Sequence, residues 1–139
     1  MVTRRVLITG SRTWEDWPCV YAHLNSELAV AVDRDQTLVV VHGACPRGAD
    51  LYAHQWTVAH QYDPAVAEEP HPADWSHGRS AGIVRNHEMV NLGADICLAF
   101  GNVCDRCPGD PHHVTHGTAH CARIAWEAGI RTRHFGDAW

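Results

Sequence analysis

The chain has 139 residues, 45% of them apolar, with six tryptophans and a formal net charge of −5. That length suits one domain, and that apolar content supplies a real core, which excludes a largely disordered chain. The acidic balance argues against a general nucleic-acid binder, and no apolar run reaches the roughly 18 residues of a membrane helix.

The elements alternate from the start. Arg5-Val6-Leu7-Ile8-Thr9 is a short apolar run ended by Gly10 and reads as a buried strand. A helix is expected from Trp17 to about Val32, with Pro18 in its first turn and Asp16 or Trp17 at the cap. Thr37 to His42 is rich in β-branched residues and reads as a strand ended by Gly43. A second helix fits Ala49 to about Gln61, and Ala65-Val66-Ala67 is a short strand limited by Pro64 and Pro70. His71 to Gly78 reads as a loop, Arg79 to about Leu92 as a third helix stopped by Gly93, and Asp95 to Phe100 as a strand. Gly101 to Gly117 is a long loop, Thr118 to Ala128 a fourth helix, and Arg131 to Phe135 the last strand. Strands alternating with helices predict a Rossmann-like three-layer α/β domain with a mainly parallel sheet of about five strands, spanning residues 1–139 as one unit.

In an open parallel sheet, ligands sit beyond the carboxyl ends of the strands. Four loops leave those ends. In the first, Gly10 permits a tight turn while Ser11 and Arg12 offer phosphate donors; an ordinary turn is the plain alternative. The second carries His42, Gly43, Arg47, Gly48, Ala49 and Asp50 and opens a helix, whose free N–H groups favour an anion. It is not a Walker loop, because no Gly-Lys-Ser/Thr follows. In the third, Trp75 and Arg79 precede a helix on which Gly82, Arg85, Asn86 and Met89 cluster. Gly82 would allow close approach, Arg85 would clamp a phosphate and Asn86 would read a sugar or base. A glycine inside a helix costs about 1 kcal/mol relative to alanine, so it needs a reason. In the fourth, Gly117 and Thr118 open the last helix, with His116 and His120 beside them as phosphate donors or acid/base groups. All eleven cationic residues are arginine. That suits bidentate phosphate contacts, although a GC-rich coding bias explains it as well.

Read in order, Thr-Gly-Ser-Arg, His-Gly-Ala-Cys-Pro-Arg-Gly-Ala-Asp, Pro-Ala-Asp-Trp, Gly-Arg-x-Ala-Gly-x-x-Arg-Asn-x-x-Met and Gly-Thr-x-His make a set that spans nearly the whole chain. The set resembles the YspA-like, cpYpsA-related branch of the SLOG superfamily, common in actinobacteria and their phages. The resemblance implies a Rossmann-like fold and a nucleotide or nucleotide-derived ligand, with Phe100 at a strand end among its contacts. The wider superfamily includes the cytokinin-activating phosphoribohydrolases and the DNA-processing protein DprA. In the phosphoribohydrolases an Arg-x-x-x-Met helix and a Gly-Thr-x-x-Glu loop carry phosphate binding and catalysis. Arg85 and Met89 match the first, and Gly117 and Thr118 match part of the second. No glutamate stands where that loop has its catalytic carboxylate, because Ala122 and Arg123 follow His120 and Cys121. The same hydrolytic mechanism is therefore not expected.

Cys104-x-x-Cys107 is followed by His112, His113 and His116. Cys104, Cys107, His112 and His116 make a candidate structural zinc set, against the alternative of a polar loop with unpaired thiols. Such an ion would staple a loop too long to be left structureless in a compact domain. No other cofactor is expected. Met1 leads almost directly into the first strand with no room for a signal peptide, so a cytoplasmic protein is expected.

The first functional expectation is a sensor or sequestering protein for a small nucleotide-type ligand. The second is a nucleoside-phosphate hydrolase, with Arg85, His116 and His120 as catalytic candidates and its acid/base group drawn from His116, His120, Asp50 and Glu88. A DprA-like DNA-associated protein is third. Relatives of this fold often pair, so a homo-oligomer is expected.

Overall fold

The computed structural model describes residues 2–107 and 112–139. These residues form five strands and four α-helices: β1 (Thr3–Gly10), α1 (Trp17–Asp33), β2 (Thr37–His42), α2 (Ala49–Ala59), β3 (Val66–Pro70), α3 (Ala81–Asn91), β4 (Ile96–Phe100), α4 (His116–Glu127) and β5 (Arg131–Phe135). The strands make one all-parallel sheet in the order β3-β2-β1-β4-β5. The expected Rossmann-like α/β fold is thus the observed one.

Side chains alternate faces along each strand, and two cores follow from that period. Val6 and Ile8 of β1 pack with Leu24 of α1, Trp56 of α2 and Leu98 of β4 on one face. Leu7, between them in sequence, packs with Met89 of α3 and Ile124 of α4 on the other. A strand buried on both faces has no polar positions, which is why β1, β2 and β4 read as continuous apolar runs. The two edge strands differ: β3 carries Glu68 and Glu69, and β5 reads Arg-Thr-Arg-His-Phe.

Several boundaries differ from the sequence reading. β3 continues to Pro70, because an edge strand tolerates a proline on its unpaired side. A single 3-10 turn, Trp75–His77, sits inside the expected loop, capped by the Asp74 side chain on the Ser76 N–H. α4 starts two residues early, with Thr115 rather than Thr118 at its cap. Asp16 caps α1 as expected, accepting from the Cys19 N–H at 3.1 Å. Residues 108–111 of the long loop, and Met1, lie outside the described residues.

The topology sets where a ligand goes. The chain runs β1 to β2 to β3 in one direction, then crosses back to place β4 on the other side of β1. The loops after β1 and β4 diverge there and open a crevice at the sheet's carboxyl end.

Candidate functional site

Ser11 holds this end of the sheet together. Its backbone N–H donates to the Phe100 carbonyl at 2.9 Å. Its hydroxyl accepts from the Asn102 N–H at 2.8 Å and lies 2.7 Å from the Thr115 hydroxyl, which donates to Thr118 at 3.0 Å. Because Thr115 spends its proton on Thr118, Ser11 must donate to Thr115. Three hydroxyls therefore run in one direction from β4 to the first turn of α4. Ser11 and Thr118 are buried in this chain, where their hydroxyls tie the strand end to the start of α4. Arg12, the next residue, is exposed, with its guanidinium 5.9 Å from the Trp75 ring centroid, a cation–π contact.

The β2–α2 loop is built around Asp50. Its Oδ2 accepts from the Gly43 N–H at 3.1 Å and the Cys45 N–H at 3.4 Å. Asp50 thus folds the loop instead of capping α2. Burial pushes its carboxyl pKa up, with His42 and Arg85 pulling the other way, and Oδ1 has no hydrogen-bond partner among the described residues. His42 is also buried; its Nδ1 accepts from the Ala44 N–H, so Nε2 carries the proton and donates to Glu68 at 2.7 Å. Gly48 has φ +76 and ψ −150, a region essentially restricted to glycine, and a side chain there would strike the Ser11 carbonyl. The first and second loops are thereby pressed together.

Arg85, expected to reach outward to a phosphate, is buried. Nη1 donates to the Gly43 carbonyl and to the His71 carbonyl at 3.3 Å, and Nε donates to Asn86 Oδ1 at 3.0 Å. Gly43 is required by that approach, since a Cβ on it would lie 2.5 Å from Arg85 Nη1. Asn86 passes the link onward, donating to the Gly117 carbonyl at 3.3 Å and to His120 Nδ1 at 3.2 Å. The His120 pKa is lowered, chiefly by burial and then by His87, so its imidazole tends to stay neutral. Asn86 is thereby a strut between α3 and α4.

Gly82 has a specific neighbour: a Cβ there would meet the Trp75 ring at 3.1 Å, so the glycine seats the indole over α3. Arg12, Trp75, Gly82 and the buried Arg85 thus follow one another in contact. Burial raises the Cys45 thiol pKa, and Asp50 adds to that while Arg85 and Arg12 oppose it. Arg47 and Arg79 are exposed on the flanking loops. Ala49 lies in the core, as do Met89 and Phe100, at 2% and 0% exposure. Phe100 stacks on Phe135 at 4.9 Å. These three serve packing.

Two cavities open at this end. One of about 480 Å³ is bounded by Arg85, Ser80, His77, Asp74 and Glu88. A larger one of about 930 Å³ lies on the β4–β5 side between Thr13–Asp16 and the C-terminal residues Phe135–Ala138. Its walls carry Glu15, Asp16 and Asp137 and no arginine, whereas the smaller one sets Arg85 beside Asp74 and Glu88. Sequence reasoning missed this second cavity, because its lining comes from short turns without a recognisable motif. In the loop before α4, the structure brings Cys104 and Cys107 together with His113 and His116, while His112 lines the larger cavity.

Residues 4–78, from β1 through the 3-10 turn, match the family model of the YspA, cpYpsA-related SLOG proteins. The chain belongs to that family. The match covers both glycine loops, Arg12 and Trp75 of this SLOG domain, while Gly82 and Arg85 lie beyond it. The gene 61 protein of Mycobacterium phage D29 is 46% identical over 136 residues, covering 96% of this chain and 98% of that protein. SLOG membership and the parallel Rossmann-like sheet fit a nucleotide-related, ligand-binding role. No described helix is long and apolar enough to cross a membrane.

Proposed function

We propose that the protein binds a nucleotide or nucleotide-derived, phosphate-bearing small molecule on the Arg12–Gly48–Arg85 side of the strand ends, as a sensor or a sequestering protein. The observation that carries this reading is the β2–α2 loop itself: Gly48 lies against the Arg12 backbone, Gly43 accepts from Arg85, and the helix begins at Gly48 with no side-chain cap. Uncapped N–H groups at a helix start and guanidinium groups both suit phosphate oxygens. Trp75, half-exposed and already in contact with Arg12, offers a face on which a base can stack.

The test is a thermal-shift and calorimetric panel of nucleoside mono- and diphosphates, cyclic nucleotides and ADP-ribose-type compounds. At least one class is expected to raise the melting temperature and bind with one site per chain. A panel that moves nothing overturns the reading.

A hydrolytic reading has one observation in its favour: Asp50, with its raised pKa and unpartnered Oδ1, has the character of a general acid. Against it, Asp50 is enclosed and its other oxygen is engaged by two N–H groups. Release of free base or ribose 5-phosphate from nucleoside monophosphates by wild type, lost in Asp50→Asn, would favour the enzyme. Equal background release by both would remove it.

A further inference from the structure

The loop between β4 and α4 is pinned as a small antiparallel stem. Val103 bridges Val114, the Cys104 N–H donates to the His113 carbonyl at 2.7 Å, and the Thr115 N–H donates to the Asn102 carbonyl at 3.1 Å. Side chains alternate along an extended arm. Val114 turns into the core, at 5% exposure, so His113 turns the other way, toward the cysteines. The stem therefore selects His113 over His112. With His113 in the set the spacing becomes regular: Cys-x-x-Cys on one arm and His-x-x-His on the other.

The ligand atoms have the separations that a tetrahedral ion imposes. With Zn–S near 2.3 Å and Zn–N near 2.0–2.1 Å, tetrahedral edges are about 3.8 Å for S–S, 3.5 Å for S–N and 3.3 Å for N–N. Cys104 Sγ to Cys107 Sγ is 3.6 Å, Cys107 Sγ to His116 Nε2 is 3.5 Å, and His113 Nε2 to His116 Nε2 is 3.2 Å. All four atoms lie within 4.8 Å of one another. The two sulfurs are too far apart for a disulfide, which needs about 2.05 Å.

We propose that Cys104, Cys107, His113 and His116 form a closed structural zinc site. Four protein ligands fill the tetrahedron and leave no open position, so the ion staples and does not catalyse. His116 is the first residue of α4 and Gly117 the next. The ion therefore fixes the start of the helix that Asn86 ties to Arg85, and His116 is a metal ligand rather than an acid/base group. This inference stands apart from the nucleotide reading, because it concerns metal binding with no nucleotide present.

The experiment uses the full-length reduced protein, stripped with chelator and titrated with cobalt(II) and then zinc(II), followed by absorbance and native mass spectrometry. One metal per chain and the intense visible bands of a tetrahedral cobalt–thiolate site are expected, with zinc displacing cobalt. His112→Ala keeps the site. Cys107→Ser and His113→Ala weaken it at least about tenfold. His113→Cys restores it with stronger thiolate charge transfer, which a folding defect at this position would not do. Absence of stoichiometric metal in the wild type, or equal loss in His112→Ala and His113→Ala, overturns the proposal.

Discussion

The two halves of the sheet's carboxyl end are built from opposite materials. On the β1–β2 side, two glycines let backbones close up, a buried arginine ties the β2–α2 loop to α3, and a second arginine lies against Trp75. On the β4–β5 side, the larger cavity is walled by carboxylates, and the loop before α4 gathers two cysteines and two histidines. The contrast teaches that cavity size alone is a poor guide here. The β1–β2 side, where Arg12 and Arg85 meet the glycine loops, suits a phosphate-bearing ligand, and the other side suits a metal staple that shapes the domain.

The largest expected effect breaks the closely packed side. Gly48→Ala forces a side chain into a glycine-only conformation and into the Ser11 carbonyl. It should destabilise by roughly 3 kcal/mol or more in urea unfolding. Next comes Arg85→Ala, which leaves the Gly43 carbonyl and Asn86 Oδ1 without their donor. A loss of about 2–3 kcal/mol is expected, together with loss of ligand binding. Arg85→Lys should recover part of the stability, because one ammonium replaces only one arm of the fork.

Gly117 sharpens the comparison by behaving differently. It lies in the first turn of α4 with nothing within 4 Å of a built Cβ. Gly117→Ala should leave stability unchanged or raise it by about 0.5 kcal/mol. If α4 also contacts the ligand, affinity falls while the melting temperature does not, a pattern opposite to that of Gly48→Ala.

A modest, pH-dependent effect lies at the far edge of the sheet. Arg5 grips Glu69 with two hydrogen bonds of 2.8 and 2.7 Å, and its guanidinium holds the Glu69 carboxyl down at about 2. A lowered folded-state pKa contributes stability above the ordinary carboxylate value of about 4.3, and that stability is lost as pH falls toward 2. Glu69→Gln should flatten this acid limb in a pH series of thermal melts, at a cost near neutrality of about 1 kcal/mol, because the pair is partly solvated.

The sequence made the fold legible where burial is two-sided. The apolar runs of β1, β2 and β4 admit no other reading, and their glycine ends marked the loops. It was less informative about which way side chains turn. Arg85, Asn86 and Ser11 were all recognisable as polar groups near the strand ends, yet each has a partner between 31 and 104 positions away. No local pattern encodes that separation. The choice between His112 and His113 depended on the register of a short stem, a tertiary fact. The carboxylate-lined cavity had no motif, since Asp16 and Asp137 meet only when the chain closes.

The central claim is that the ligand occupies the β1–β2 side. Calorimetric titration of whichever nucleotide class the wild type binds, repeated on Arg12→Ala and Asp137→Asn, tests it most directly. Both residues are exposed, so neither substitution should move the melting temperature. The account predicts at least a tenfold weakening, about 1.4 kcal/mol, for Arg12→Ala and no change for Asp137→Asn. Unchanged affinity in Arg12→Ala with altered affinity in Asp137→Asn would place the ligand in the larger cavity and contradict it.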